Sequence, residues 1–437
     1  MVAPLADMLQ IHIMGGMGSA LALAREGFTN IHVWEAASAL GEVGAGINIP
    51  PNLARLLAKW GVLESAQAKG VVIDKANVLA NMPTDCETDQ ILTTVCYDEY
   101  MEKEYGSPFM TVHRAALQQA LVQGALNSKV VKLHLGHFIS EYDFVNTRFQ
   151  VKNKETNQEQ WVQGDVILAS DGIKSKARAA LLAKWGEADE VEDTGQAAYR
   201  IMVRRAAIKE DPELLPFFEG FQSYRWIGEK RHIIAYPIDS HDLFNMSTTQ
   251  PDRNFVQADT WTASGSKAEM LATFHDFCPR VQKLLNLVPE GDVLEWKLRV
   301  HKPLAFWVEN KSALVGDACH PTLPHIAQGA AQAMEDAAAI AVVLGKITSK
   351  NQIPKALAVY QALRKPRADW AVLTAASNSK SLHTQDTAAR DASFKAAGKN
   401  GSTNPDKMLS RDIHDILFKY DVVQEAEQNF DKLYSEV

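Results

Sequence analysis

The stretch Gln10–Glu35, QIHIMGGMGSALALAREGFTNIHVWE, decides the fold. Gln10 to Met14 is a short apolar run, read as a strand. Gly15-Gly16-Met17-Gly18 follows, and Ser19 to Glu26 is an Ala/Leu-rich helical segment closed by Gly27. Ile31 to Trp34 is a second apolar strand with Glu35 at its end. Strand, glycine turn, helix, strand is a βαβ unit. Ligands of parallel sheets lie beyond the carboxyl ends of the strands. The glycines and Glu35 both fall at that edge. Glycines let the backbone approach a pyrophosphate, and the helix start offers free N–H groups. An acidic residue about 20 positions further on can hold ribose hydroxyls. From Gly16 the pattern reads G-x-G-x-x-L, with Leu21 where a dinucleotide fingerprint has its third glycine.

Working outward, Gly41 to Asn52 (GEVGAGINIPPN) is a glycine-rich loop, and a helix is expected from about Leu53 to Trp60. His113-Arg114 precedes a helix over Ala115–Gly124. Val130 to Val162 alternates as antiparallel hairpin material does. Asp165 to Ser170 (DVILAS) reads as a buried strand running into Asp171-Gly172, and Ala313 to Val315 as another running into Gly316-Asp317. Residues 196–250 hold aromatic-rich strands. Gly329–Leu344 and Pro354–Lys380 read as helices, and 395–406 (KAAGKNGSTNPD) as a mobile loop.

Composition bounds the rest. The 437 residues suggest two or three domains at about 150 each. Hydrophobic residues make up 46% and charged residues 22%, which excludes a disordered or fibrous chain. A net charge of −8 with no long basic tract argues against nucleic acid. Four cysteines without a CxxC give neither a disulfide framework nor a structural zinc site, and no metal is expected. Met1–Gln10 lacks the pattern of a signal peptide and no apolar run is long enough to span a membrane. The expected location is the cytoplasm. The sequence does not settle the oligomeric state.

Each strand-to-turn motif taken alone is also ordinary turn chemistry, since Asp and Gly favour turns. Their order along the chain is what carries information. Gly44-Ala45-Gly46-Ile47, His113-Arg114, Asp171-Gly172-x-x-Ser175-x-x-Arg178 and Gly316-Asp317-Ala318-Cys319-His320-Pro321 occur in one chain. With Ala198-Tyr199-Arg200 and Tyr236-Pro237, they make the sequence resemble the single-component FAD-dependent aromatic hydroxylases, of the salicylate hydroxylase and 3-hydroxybenzoate 6-hydroxylase type, from Ile11 to about Tyr420.

The resemblance implies an α/β fold: a Rossmann-like FAD-binding domain, an inserted, mostly antiparallel β-sheet substrate domain, and C-terminal helices. The expected boundaries are 1–75, 106–185 and 285–345 for the FAD domain, 76–105 and 186–284 for the substrate domain, and 346–437 for the helical region. It implies that Gly15, Gly16 and Gly18 meet the pyrophosphate, Glu35 the adenosine ribose, Arg114 the ribityl and phosphate region, and Asp317 a ribityl hydroxyl. Gly46, Asp171, Gly316 and Pro324 would border the cofactor. Gly329 would start a helix whose Ala330 and Ala331 N–H groups face the flavin N1 and C2 oxygen, where a helix N-terminus favours negative charge. Arg200 and Tyr236 would favour the phenolate form of a phenolic substrate, with Tyr199, Tyr224 and His325 lining the pocket. His320 is expected as a structural hydrogen-bonder and Cys319 as a small buried residue.

The implied reaction uses NADH or NADPH to reduce FAD. O2 then forms a flavin C4a-hydroperoxide that hydroxylates a small aromatic substrate. No second nicotinamide-type fingerprint appears, and an NAD-dependent dehydrogenase leaves Arg114 and both aspartate motifs without a role. One departure stands out. Gly15 to Gly27 is about four residues shorter than the family run, about 6 Å of helical rise. That motivates a second reading, a catalytically weak flavoprotein-like binder of aromatic ligands.

Overall fold

The computed structural model describes residues 5–40, 44–80, 90–252, 262–397 and 403–437. Its first layer is a six-stranded sheet in the order 308–309, 312–314, 166–170, 11–15, 31–34, 131–134. All pairs are parallel except the first. The central strands are covered on both faces, so they read as near-continuous apolar runs. Ile11, Ile13, Ile31, Val166, Ile167 and Leu168 are all fully buried. Val131–His134 joins this parallel sheet beside Ile31–Trp34. Only the later part of the alternating stretch, strands 137–143, 148–153 and 159–163, forms the antiparallel hairpins. Alternation alone could not separate the two, because an edge strand of a parallel sheet is also half-exposed.

The second layer is an eight-stranded sheet in the order 262–264, 294–301, 191–204, 243–251, 231–238, 222–228, 75–80, 91–96. Its pairs are antiparallel except 222–228 with 75–80. Leu294–His301 falls inside the range expected for the FAD domain, yet pairs here with 191–204. A small sheet of 46–49, 110–113 and 71–72 lies between the two large ones in the chain.

The helix Met17–Arg25 packs against the helix Gly329–Gly345, which in turn packs against Ile353–Leu382 and the C-terminal helix Val422–Glu436. Ile353–Leu382 continues through Pro366 as one helix. Of the expected mobile loop, 395–397 lie at the end of the helix Thr387–Ala396 and just beyond it, and 398–402 lie outside the described residues. Asn404 and Asp406 are buried. Asp406 pairs with Arg225 at 2.8 Å and accepts from Asn378 at 2.9 Å. Hydrophobic patterning misses a segment that is held inside by polar groups. Among the described residues no helix is long and apolar enough to cross a membrane.

Candidate cofactor and substrate cleft

The strand Ile11–Gly15 ends in two left-handed glycines, Gly15 at φ 71° and Gly16 at φ 65°. Only glycine takes that conformation cheaply. The turn is also sterically closed. A Cβ on Gly16 would lie 2.6 Å from Ser170 Oγ, and one on Gly18 would lie 2.3 Å from Met334 Sδ. The helix therefore starts directly at Met17, and Gly18 is spent on close packing against the Gly329 helix. Ser19 and Ala20 N–H groups turn back to the Gly16 carbonyl, and no side chain caps the helix. The donors of Met17 and Gly18 remain at the opening of the turn. Glu35 stands at the tip of the neighbouring strand, where its Oε1 accepts the Ala37 N–H at 2.8 Å.

Two more turns reach the same edge of the sheet. Asp171 follows Ser170, but its carboxylate is engaged locally. One oxygen accepts from Ser175 Oγ at 2.5 Å, and the other from the Ala177 N–H at 3.1 Å. Asp171 thus orders the start of the helix Lys176–Trp185. Arg178 on that helix is 1% exposed. Its guanidinium donates to the carbonyls of Ile173, Asp317 and Ala318 and pairs with Asp189 at 3.0 Å. One buried arginine therefore braces both aspartate turns, a role that the motif spacing did not disclose.

Asp317 projects from the second turn with its side chain open to solvent. The surrounding protein mass raises its carboxyl above the usual range, and His320, Arg114, Arg178 and Arg200 oppose that rise. An open carboxylate in the electrostatic field of Arg114 and Arg200 suits a polyhydroxy chain that carries phosphates. Arg114 begins the helix Arg114–Asn127, donates its backbone N–H to the Ala45 carbonyl at 3.1 Å, and packs its stem on Gly44. The GAGI segment and Arg114 form one wall.

The Gly329 helix supplies the other. Its first backbone bond runs from the Gln332 N–H to the Gln328 carbonyl, and no side chain caps it. The N–H groups of Gly329, Ala330 and Ala331 precede that bond. Gly329 faces open space, and Pro324 is exposed just before it. Two uncapped helix starts, an open acid in the field of two arginines and a ribose-type acid at a strand tip fit the parts of FAD, from pyrophosphate to isoalloxazine.

The large sheet closes the cleft. The Gly46 N–H donates to Asn245 Oδ1 at 2.7 Å. A Cβ on Gly46 would lie 2.7 Å from both Tyr236 Cε2 and Asn245 Cγ. Tyr236 is paired with Asn245 across the strands, so the FAD-side strand 46–49 rests directly on this end of the sheet. Burial pushes the Tyr236 hydroxyl well up, against the pull of Arg200. Arg200 is half-buried with its guanidinium 4.5 Å from the centre of the Trp296 ring. Burial and the Arg114 charge lower its pKa, while Tyr236 and Asp317 raise it. Asn245 and Trp296 carried no motif signal.

Three expected pocket residues lie elsewhere. Tyr199 and Tyr224 point to the opposite face of the sheet, into an apolar cluster with Phe217, Trp226, Phe244 and Phe274. Strands alternate faces, so Tyr199 is turned away from its neighbour Arg200. Tyr224 pairs with Ala235 and is turned away from Tyr236. His325 follows the exposed Pro324 but turns inward and is 2% exposed. It joins His232 and His383, whose rings are hydrogen-bonded at 2.7 Å. Burial first, then mutual repulsion and Arg225, lowers His325 to about 3, and burial and Arg225 lower His383 to about 4. These are neutral imidazoles behind the cleft wall. Cys319 and His320 are buried. The Cys319 thiol donates to the Gly316 carbonyl, and His320 bonds Asp336.

Comparison with known proteins gives the family and the fold. The FAD binding domain family matches residues 14–376. The chain is 30% identical over 394 residues to the FAD-dependent monooxygenase ntnJ of Nectria sp, covering 90% of this chain and 89% of that one. It is 28% identical over 373 residues to 3-hydroxybenzoate 6-hydroxylase of Polaromonas naphthalenivorans, covering 85% and 86%. The structure of a salicylate hydroxylase substrate complex superposes with a TM-score of 0.76 at 22% identity, covering 98% of each chain.

Proposed function

The chain belongs to the FAD binding domain family and is a flavoprotein monooxygenase acting on aromatic substrates, and on that premise we propose that it hydroxylates a phenolic ring at the expense of NADH or NADPH and O2. Bound FAD supplies the oxygen activation. The single observation that carries the phenolic reading is that Arg200 and Tyr236 share the face of the sheet that Gly46 touches, with the Arg200 charge acting on the Tyr236 hydroxyl.

A phenol attacks an electrophilic oxygen far better as phenolate, and its free pKa is about 10. Arg200 keeps its charge at neutral pH in a half-buried position, so it stabilises a phenolate placed against it. Tyr236, held protonated by burial, is a hydrogen-bond donor to the same oxygen. Trp296 under Arg200 supplies an apolar surface for the ring. Asp317, Arg114, Glu35 and the starts of the Met17 and Gly329 helices hold the cofactor. The last of these would offer the partial positive charge of a helix N-terminus to a bound anionic flavin. Among the described residues the six-stranded sheet is the only mainly parallel one, so the hydride donor has no sheet of its own. Relatives named for hydroxybenzoate and hydroxynicotinate support a substrate of one hydroxylated ring.

The test is NAD(P)H oxidation by the purified holoprotein with a panel of phenols, following hydroxylated product and peroxide separately. Product in stoichiometric amounts with at least one phenol is expected. Flavin retention with ligand-perturbed absorbance but no product from any phenol would favour the second reading, an aromatic-ligand binder. The shortened glycine turn is the observation behind it.

A further inference from the structure

About two turns inside the Gly329 helix, Glu335 and Asp336 stand side by side, 1% and 0% exposed. Two adjacent buried carboxylates are costly unless every oxygen is paired. Glu335 is met by Arg364, Arg367 and Asn52. Asp336 is used differently. Its Oδ1 accepts from Arg364 Nε at 2.9 Å. Its Oδ2 accepts the backbone N–H of Gly316 at 2.9 Å and bonds His320 Nε2 at 2.5 Å. One oxygen of the helix thus grips both ends of the turn that presents Asp317.

Just before the turn the Val315 N–H donates to the Ala169 carbonyl at 2.9 Å, which ties the chain to the sheet but leaves the Gly316 N–H to Asp336. Gly316 takes φ 62°, and a Cβ there would lie 2.9 Å from Ala333 Cβ, so the turn is pressed onto the helix. Within it, the Cys319 and His320 N–H groups both return to the Gly316 carbonyl at 2.9 Å. Arg178 holds the Asp317 and Ala318 carbonyls from the other side. Burial opposes charge on His320 and Asp336. Their attraction, with Arg364 also acting on Asp336, nonetheless holds the imidazole well above and the carboxyl below its ordinary range.

We propose that Asp336 is the positioning residue of the cofactor cleft: through Gly316 and His320 it sets the turn in which Asp317 meets the FAD ribityl chain. The proposal rests on the reading of Asp317 as a cofactor contact. Asp336 does not itself reach the cleft, since it is fully buried behind the turn. Its loss is felt by FAD only through the aim of Asp317, and the two residues act as one unit.

A double-mutant cycle on the FAD dissociation constant of the apoprotein tests this, because residues acting through one another are non-additive. Asp336→Asn should weaken FAD by about tenfold in the parent chain and by less than about twofold in the Asp317→Ala background. Glu335→Gln, equally buried and sharing Arg364 but without contact to the turn, should be additive with Asp317→Ala. If Asp336→Asn does not fold, His320→Gln runs the same cycle with the same expectation. Additive losses for Asp336 and Asp317, or equal coupling of Glu335 to Asp317, would overturn the proposal while leaving the Asp317 reading intact. An unchanged FAD affinity in Asp317→Ala alone would overturn both.

Discussion

Asp317 concentrates the residue-scale chemistry, because it is an acid left open in the electrostatic field of Arg114 and Arg200. Removing a charged hydrogen-bond partner costs about 1.5–3 kcal/mol. Asp317→Ala should therefore weaken FAD by roughly ten- to a hundredfold, taking about 1.4 kcal/mol per decade. Titration of apoprotein measures it, and an unchanged dissociation constant refutes the assignment. Arg200 and Tyr236 should behave otherwise. Tyr236→Phe keeps the ring that packs on Gly46 and removes only the hydroxyl. Arg200→Ala removes the cation over Trp296. Both variants should retain FAD and keep oxidising NAD(P)H while product falls and peroxide rises. If both variants couple as the parent does, the activating groups lie elsewhere on the wall, and the neutral imidazoles of His232, His325 and His383 are next to be examined.

At the scale of elements, the apolar runs IHIM, IHVW and DVILAS were legible because parallel strands are buried on both faces. The turns after them were legible because positive φ and carboxylates leave few residue choices. Which side chains share a pocket was only partly legible. Tyr199 and Arg200 are neighbours and must face opposite ways, so period-two alternation alone excludes the pair. Tyr224 and Tyr236 sit on different strands, and only the pairing of Tyr224 with Ala235 shows that they part company. Asp336, Arg178 and Asn245 act across 20, 139 and 199 positions of chain, where no local pattern can speak. The shortened turn is legible in both. Gly18 lies against Met334 and the helix begins at Met17, so on the proposed cofactor reading a pyrophosphate would meet fewer aligned donors than a full fingerprint gives. Each lost donor costs about 1 kcal/mol. Inserting four residues to give Gly-x-Gly-x-x-Gly ahead of Ala20 should tighten FAD by about tenfold or more. Nanomolar binding by the unmodified chain would show that the two-glycine turn already suffices.

Histidines that the fold holds below their ordinary pKa lie in several parts of the molecule, and they tie its stability to pH. Burial, then the His32 charge, lowers His12 to about 3 in the parallel sheet. His325 at about 3 and His383 at about 4 lie behind the cleft, and burial lowers His414 to about 4 under the C-terminal helices. All four are neutral when folded and titrate near 6.5 when unfolded. The unfolded chain therefore binds more protons below that value, and stability falls as pH falls from about 6.5 toward each folded pKa. Each group contributes a slope of up to about 1.4 kcal/mol per pH unit in that window. His320 has the opposite sign. Its raised folded pKa makes its contribution complete below about pH 6.5 and lost only as pH rises toward the folded value, so it adds no slope on the acid side. Asp317 and Glu295, whose carboxyls the surrounding protein mass raises, act the other way: they add stability as pH falls through their raised folded values toward the ordinary carboxylate range, below the window of the histidines. The expected result is a denaturation midpoint highest near pH 6.5 to 7, declining toward alkaline pH as the His320 contribution is lost and dropping steeply between pH 6.5 and 5. His383→Gln, which can still bond His232 and Gln196 but cannot titrate, should show a shallower drop than the parent. A midpoint that stays level down to pH 5 would mean that these imidazoles are not held neutral by the fold.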